Sequence, residues 1–129
     1  MVVATVRTTT RQAPLSGAAM RGARNVLGLS QTTAGKLLGG VRQETISRWE
    51  QQSRLRVQSI LAQPVRELVE VADLLVDLYP DEERRQRFLR QPQPGLRGRA
   101  PAGVLQENPP YGVHRVWELL MDIAHGLPA

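Results

Sequence analysis

Two adjacent glycines, Gly39 and Gly40, interrupt a stretch whose apolar residues keep helical spacing on both sides. Before them, "SQTTAGKLL" opens on Ser30, a good N-cap, and sets Ala34, Leu37 and Leu38 on one face of a helix running to Leu38. After them, a helix from about Arg42 to Gln51 turns Thr45, Ile46 and Trp49 inward at three- and four-residue spacing. Gln43, Glu44, Ser47 and Arg48 are left pointing out. Glycine tolerates the backbone angles of a tight turn, so the two helices are predicted to cross rather than continue. Gly17 to Leu27 reads as an earlier helix, weakened by Gly17 and Gly22.

Two short helices joined by a glycine turn, the second exposing Gln, Glu, Ser and Arg, make a helix-turn-helix. Such a helix fits the major groove of DNA, where Gln suits adenine, Arg suits guanine and Glu accepts from cytosine. The charge distribution agrees. Met1 to Gln63 carries nine Lys/Arg and two acids, a net +7, whereas Pro64 to Ala129 carries eight Arg and ten acids, a net −2. A basic front half favours a polyanion, because its cations displace counterions condensed on phosphates. A merely soluble Arg-rich surface fits the charge equally well, so the motif has to decide.

Pro64 opens "PVRELVEVADLLVDLYPDEE", in which Val65, Leu68, Val69, Ala72, Leu75, Val76 and Tyr79 follow helical spacing. Val71, Leu74 and Leu78 add a second apolar flank. This helix needs cover on two sides, either by bridging both halves of the chain or by lying in a dimer seam. Its acids, from Glu67 to Asp77, are assigned to a solvated face. Pro80 ends it. A short helix with acids in its first turn follows, then a Pro/Gly-rich loop, and Arg84 to Arg99 holds six arginines and no acid. The last helix carries Val113, Val116, Trp117, Leu120 and Ile123 on one stripe, with Gly126 as its C′ residue and "LPA" as a tail. The predicted fold is all-α. It comprises a flexible arm (1–15), a helix-turn-helix bundle (16–63) and a small C-terminal helical domain (64–129).

"LSQTTAGKLLG" followed by "ISRWE" resembles the Xre/Cro-type helix-turn-helix of repressors. The resemblance implies that Gln31 braces on phosphate, that Gln43, Glu44 and Arg48 face bases with Ser47 beside them, and that Arg24 and Glu50 form a buried salt bridge. The DNA-facing set is then Gln31, Thr33, Arg42, Gln43, Glu44, Ser47 and Arg48. Two departures stand out: the second glycine inserts a residue, and Arg42 replaces the usual Ser/Thr N-cap. Either is expected to reorient the recognition helix.

Further on, Phe88-Leu89, Pro92 or Pro94, Leu96, Gly98, Pro101, Leu105 and Gly126 resemble, in order and spacing, the toxin-binding domain of Xre/MbcA/ParS-type antitoxins. Phe88 stands where Trp is common. This resemblance implies an autorepressing antitoxin whose partner is a RES-type toxin acting on NAD, with the final residues covering the toxin's NAD pocket. The toxin-facing candidates are Arg97, Arg99, Tyr111, His125, Gly126, Leu127, Pro128 and Ala129. The alternative is a stand-alone regulator whose second half only dimerises.

Nothing in the sequence argues for catalysis. His114 and His125 lack a matching ligand set, no HExxH occurs, and "GLRGRAP" lacks the strand and helix of a phosphate loop. No metal and no cofactor is expected. With no cysteine there is no disulfide framework or thiol nucleophile, and no run reaches the roughly 18 apolar residues that span a bilayer. The expected setting is the cytoplasm, without membrane contact, and the expected assembly is a homodimer or a hetero-oligomer with the toxin.

Overall fold

The computed structural model describes residues 15–127. The predicted arm, apart from Leu15, and the tail residues Pro128 and Ala129 lie outside the described residues. Ser16 accepts the N–H of Ala19 and starts α1 (Gly17–Leu27). Ser30 does the same for Thr33 and starts α2 (Gln31–Leu37), while α3 (Gln43–Glu50) follows Arg42 with no side-chain cap. Then come α4 (Ser59–Leu78), α5 (Glu82–Arg90) capped by Asp81, a 3₁₀ turn (Pro94–Leu96), α6 (Pro101–Val104) and α7 (Tyr111–Ala124). Among the described residues there is no strand, and a single bridge pairs Gln93 with Arg99. The chain is all-α, as its spacing predicts.

One apolar core runs through the molecule. Met20, Leu37, Ile46 and Trp49 from the first three helices join Leu68, Leu75, Leu96, Val104, Val116 and Leu120 from the rest. Its centre is α4, which packs on α1 along one flank and on α7 along another. At 20 residues this helix is about 30 Å long, enough to serve both halves. Of the two covers its double-sided apolar pattern left open, the chain itself supplies the bridging one.

Several expectations give way here. Helix α4 begins at Ser59, so Pro64 lies inside it and the boundary expected at that proline falls within a helix. Pro64 has no N–H to offer the carbonyl of Ile60, but Ile60 is 78% exposed, which leaves that turn in reach of water. Glu67 and Glu70 are buried rather than solvated. Glu67 Oε2 accepts from Gln63 Nε2 at 2.7 Å and lies 2.9 Å from His114 Nδ1, and Glu70 Oε1 accepts from Trp117 Nε1 at 2.7 Å. Periodicity assigned these acids to solvent because their partners sit 47 residues away on another helix. The segment after α5 is not a plain loop either. Gln93 and Arg99 close it into a ring around the 3₁₀ turn, and α6 follows from Pro101. On α7 the buried stripe is Val113, Val116, Leu119, Leu120 and Ala124, with Trp117 and Ile123 at its margins.

Candidate functional site

The arrangement of α1, α2 and α3 is fixed by one buried carboxylate. Glu50, at the end of α3, has a side chain only 3% exposed. Arg24 Nε donates to its Oε2 at 2.7 Å and Arg24 Nη2 to its Oε1 at 2.9 Å, a two-pronged pair between α1 and α3. Arg24 Nη1 also donates to the carbonyl of Leu29 at 3.2 Å, and Arg21 lies 3.7 Å from Oε1. The Arg24 guanidinium holds the Glu50 carboxyl below its ordinary range, against the opposing pull of burial. Gln31 joins the same knot: its amide nitrogen donates to Glu50 at 3.2 Å and its amide oxygen accepts from Gln43 Nε2 at 3.2 Å. The start of α2 and the first turn of α3 are therefore tied to one anchor. In this structure Gln31 braces Gln43, a role its family position did not suggest.

The turn absorbs the extra residue. Gly39 and Gly40 both adopt left-handed angles, φ 101° and 104°, and the N–H groups of Gly40 and Val41 both reach the carbonyl of Gly35, at 3.0 and 2.9 Å. With the turn closed in this way, Ile46 and Trp49 of α3 stay buried and the Arg24–Glu50 pair forms. Arg42, Gln43, Glu44 and Arg48 are exposed, and Ser47 and Thr45 are half-buried. Thr33 is half-buried, its hydroxyl 3.0 Å from that of Ser30 within the cap of α2.

The C-terminal candidates do not gather in one place. Tyr111 and Leu127, each 55% exposed, sit at opposite ends of α7, about 20 Å apart. Arg97 is exposed, with its backbone left-handed at φ 58°. Arg99 is held within the chain, paired to Glu107 and donating from Nε to the carbonyl of Leu96 at 3.1 Å. At the other end, Gly126 takes φ 75°, its N–H reaching the carbonyl of Ile123 at 3.0 Å while that of Leu127 reaches Asp122 at 2.8 Å. This pair of bonds is a Schellman cap, and it turns the chain away from the helix axis. His125 is exposed, with Nδ1 2.7 Å from the carbonyl of Met121. Beside this half of α7, Gly95, Arg115, Trp117, Glu118, Met121 and Asp122 border a depression of about 450 Å³.

Sequence reasoning missed the α4–α7 clasp, in which Glu67 meets His114 and Glu70 meets Trp117. His114 also lies 3.4 Å from Glu118 and stacks on Trp117 with ring centres 5.5 Å apart. Trp117 and His114 were visible as residues, but no local spacing marks their partners.

Among the described residues the chain is all helix, with α2 and α3 joined by the Gly39-Gly40 turn and α4 shared by both halves. The model of the antitoxin Xre/MbcA/ParS C-terminal toxin-binding domain matches residues 65–126. Residues 65–126 thus belong to the toxin-binding domain family of Xre/MbcA/ParS-type antitoxins, which makes the chain a non-enzymatic regulatory protein. Its fold is similar to that of a chain in the crystal structure of the M. tuberculosis MbcT–MbcA toxin–antitoxin complex. The TM-score is 0.57 at 23% identity, over 88% of this chain and 96% of that one. No curated protein matches the sequence. No helix among the described residues is long and apolar enough to cross a membrane.

Proposed function

We propose that this antitoxin neutralises a RES-type toxin by covering its NAD site with the C-terminal half and tail, and that it represses its own operon through α2 and α3. The observation that carries the first part is the Schellman turn at Gly126, which directs Leu127 out of the core and toward solvent. With Leu127 exposed beyond the cap, this end can meet a neighbour's cleft without unfolding α7. Tyr111 at the far end of the same helix, and Arg97, exposed on the closed ring, add further contacts. The block is steric and electrostatic, and the antitoxin performs no reaction. The second part is supported by the Glu50 knot, which presents Gln43, Glu44 and Arg48 outward on a braced helix. Operators of this kind are met by twofold pairs, so a homodimer, alone or with toxin, is the proposed DNA-binding form.

The test is co-expression with the product of the adjacent reading frame and measurement of cellular NAD. Full-length chain should preserve NAD, and a chain ending at His125 should let it fall while still shifting upstream DNA. A chain ending at His125 that protects fully would remove the tail from the mechanism.

A further inference from the structure

Beside the recognition helix lies a groove of about 410 Å³ that the sequence did not disclose. It runs between α3 and the first turn of α4, and Arg42, Thr45, Arg48, Arg56 and Gln58 line it over the edge of Trp49. None of its lining residues is acidic. Arg42, Arg48 and Arg56 are all exposed, so their guanidinium groups keep their hydration and their freedom to turn toward a ligand. Three cations along one groove whose lining holds no acid, with a hydroxyl and an amide among them, suit a phosphate that two or more donors hold at once. Free anions of that size would meet the same cations. The groove's position on the flank of α3 favours a phosphate that belongs to the strand alongside the base-reading face.

This placement changes the part played by Arg48. The groove takes in Arg48 and Arg42 but not Gln43 or Glu44, which are also exposed on α3. Gln43 is further fixed by Gln31, whereas Arg48 borders the cleft with Arg56. Resting on the DNA-binding reading above, we propose that Arg42, Arg48 and Arg56 clamp the phosphate backbone of one DNA strand, and that base discrimination falls to Gln43 and Glu44. Arg56, in the link between α3 and α4, becomes a DNA-binding residue, and Arg48 becomes a positioning contact rather than a base reader.

The experiment titrates full-length protein against two duplexes, one from directly upstream of its own reading frame and one scrambled from the same bases, over a range of salt. Wild type should bind both with a steep salt dependence and prefer the upstream duplex. Arg56→Gln and Arg48→Gln should each weaken both duplexes by the same factor and reduce the slope of log K against log salt by about 0.9. Gln43→Ala should weaken the upstream duplex alone. Unchanged slope and affinity in Arg56→Gln, or lost preference in Arg48→Gln, would overturn the clamp while leaving DNA binding standing. No salt-dependent binding by wild type would sink the DNA-binding reading and the clamp together. Because these side chains are exposed, unchanged thermal unfolding of each variant excludes a folding defect.

Discussion

Arg24 and Glu50, 26 residues apart, close on each other through two hydrogen bonds of 2.7 and 2.9 Å and join α1 to the end of α3. A carboxylate buried to this degree is stable only with its partner. Arg24→Met should therefore cost about 3–5 kcal/mol in urea unfolding, the range for stranding a buried charge. Replacing both residues with apolar ones of similar volume should cost much less.

The same pair sets an acid limit. Glu50 titrates below its ordinary range because Arg24 stabilises its charged form. Its stabilisation is complete above the unfolded carboxylate value of about 4.3, and is lost as pH falls through the depressed folded value. Arg24→Met has lost that stabilisation at every pH. The stability gap between wild type and variant should narrow as pH drops below about 4. A gap that stays constant from neutral pH down to pH 3 would contradict this assignment.

At Gly35, an added Cβ would stand 1.9 Å from the carbonyl oxygen of Val41, so α2 and the turn have no room for a methyl group. Gly35→Ala must push the turn away from α2. It should destabilise by about 1–3 kcal/mol, as overpacking does, and under the proposed DNA-binding role should weaken operator binding beyond that loss of folded protein.

Trp117→Phe keeps an aromatic ring against His114 but removes the indole N–H that Glu70 accepts at 2.7 Å. Loss of that bond from a buried carboxylate should cost about 1–3 kcal/mol in thermal or urea unfolding. A variant within about 0.5 kcal/mol of wild type, the scatter of ordinary surface changes, would show that the indole contributes through its ring alone.

A fragment of residues 64–129 should fail to fold by itself. It lacks the first turn of α4 and all of α1, the helix that covers one apolar flank of α4. Circular dichroism should show reduced helix and no cooperative melt, whereas residues 15–129 should melt in one step.

The helices most legible in the sequence were those whose caps are local. Ser16, Ser30, Asp81 and Gly126 mark ends with bonds that reach only two to five residues. The resemblance to a repressor motif named Arg24 and Glu50, a pair that no periodicity connects. What stayed hidden depended on distance along the chain. Glu67 and Glu70 looked like solvent residues because their spacing carries no record of His114 and Trp117. Pro64 looked like a helix start because proline favours that position, yet burial of Val65, Leu68 and Leu75 against both neighbours carries the helix back past it. Arg56 gave no signal because it lies in an aperiodic link, and only the folded path of that link sets it along the same groove as Arg48.

Helix α4 has a consequence for how such a molecule can be dismantled. A single rod shared by front and back has no seam at which one end can be shed and the other kept. Any cut or melting event that reaches its middle loosens the front and the back together, so neither half outlasts the other.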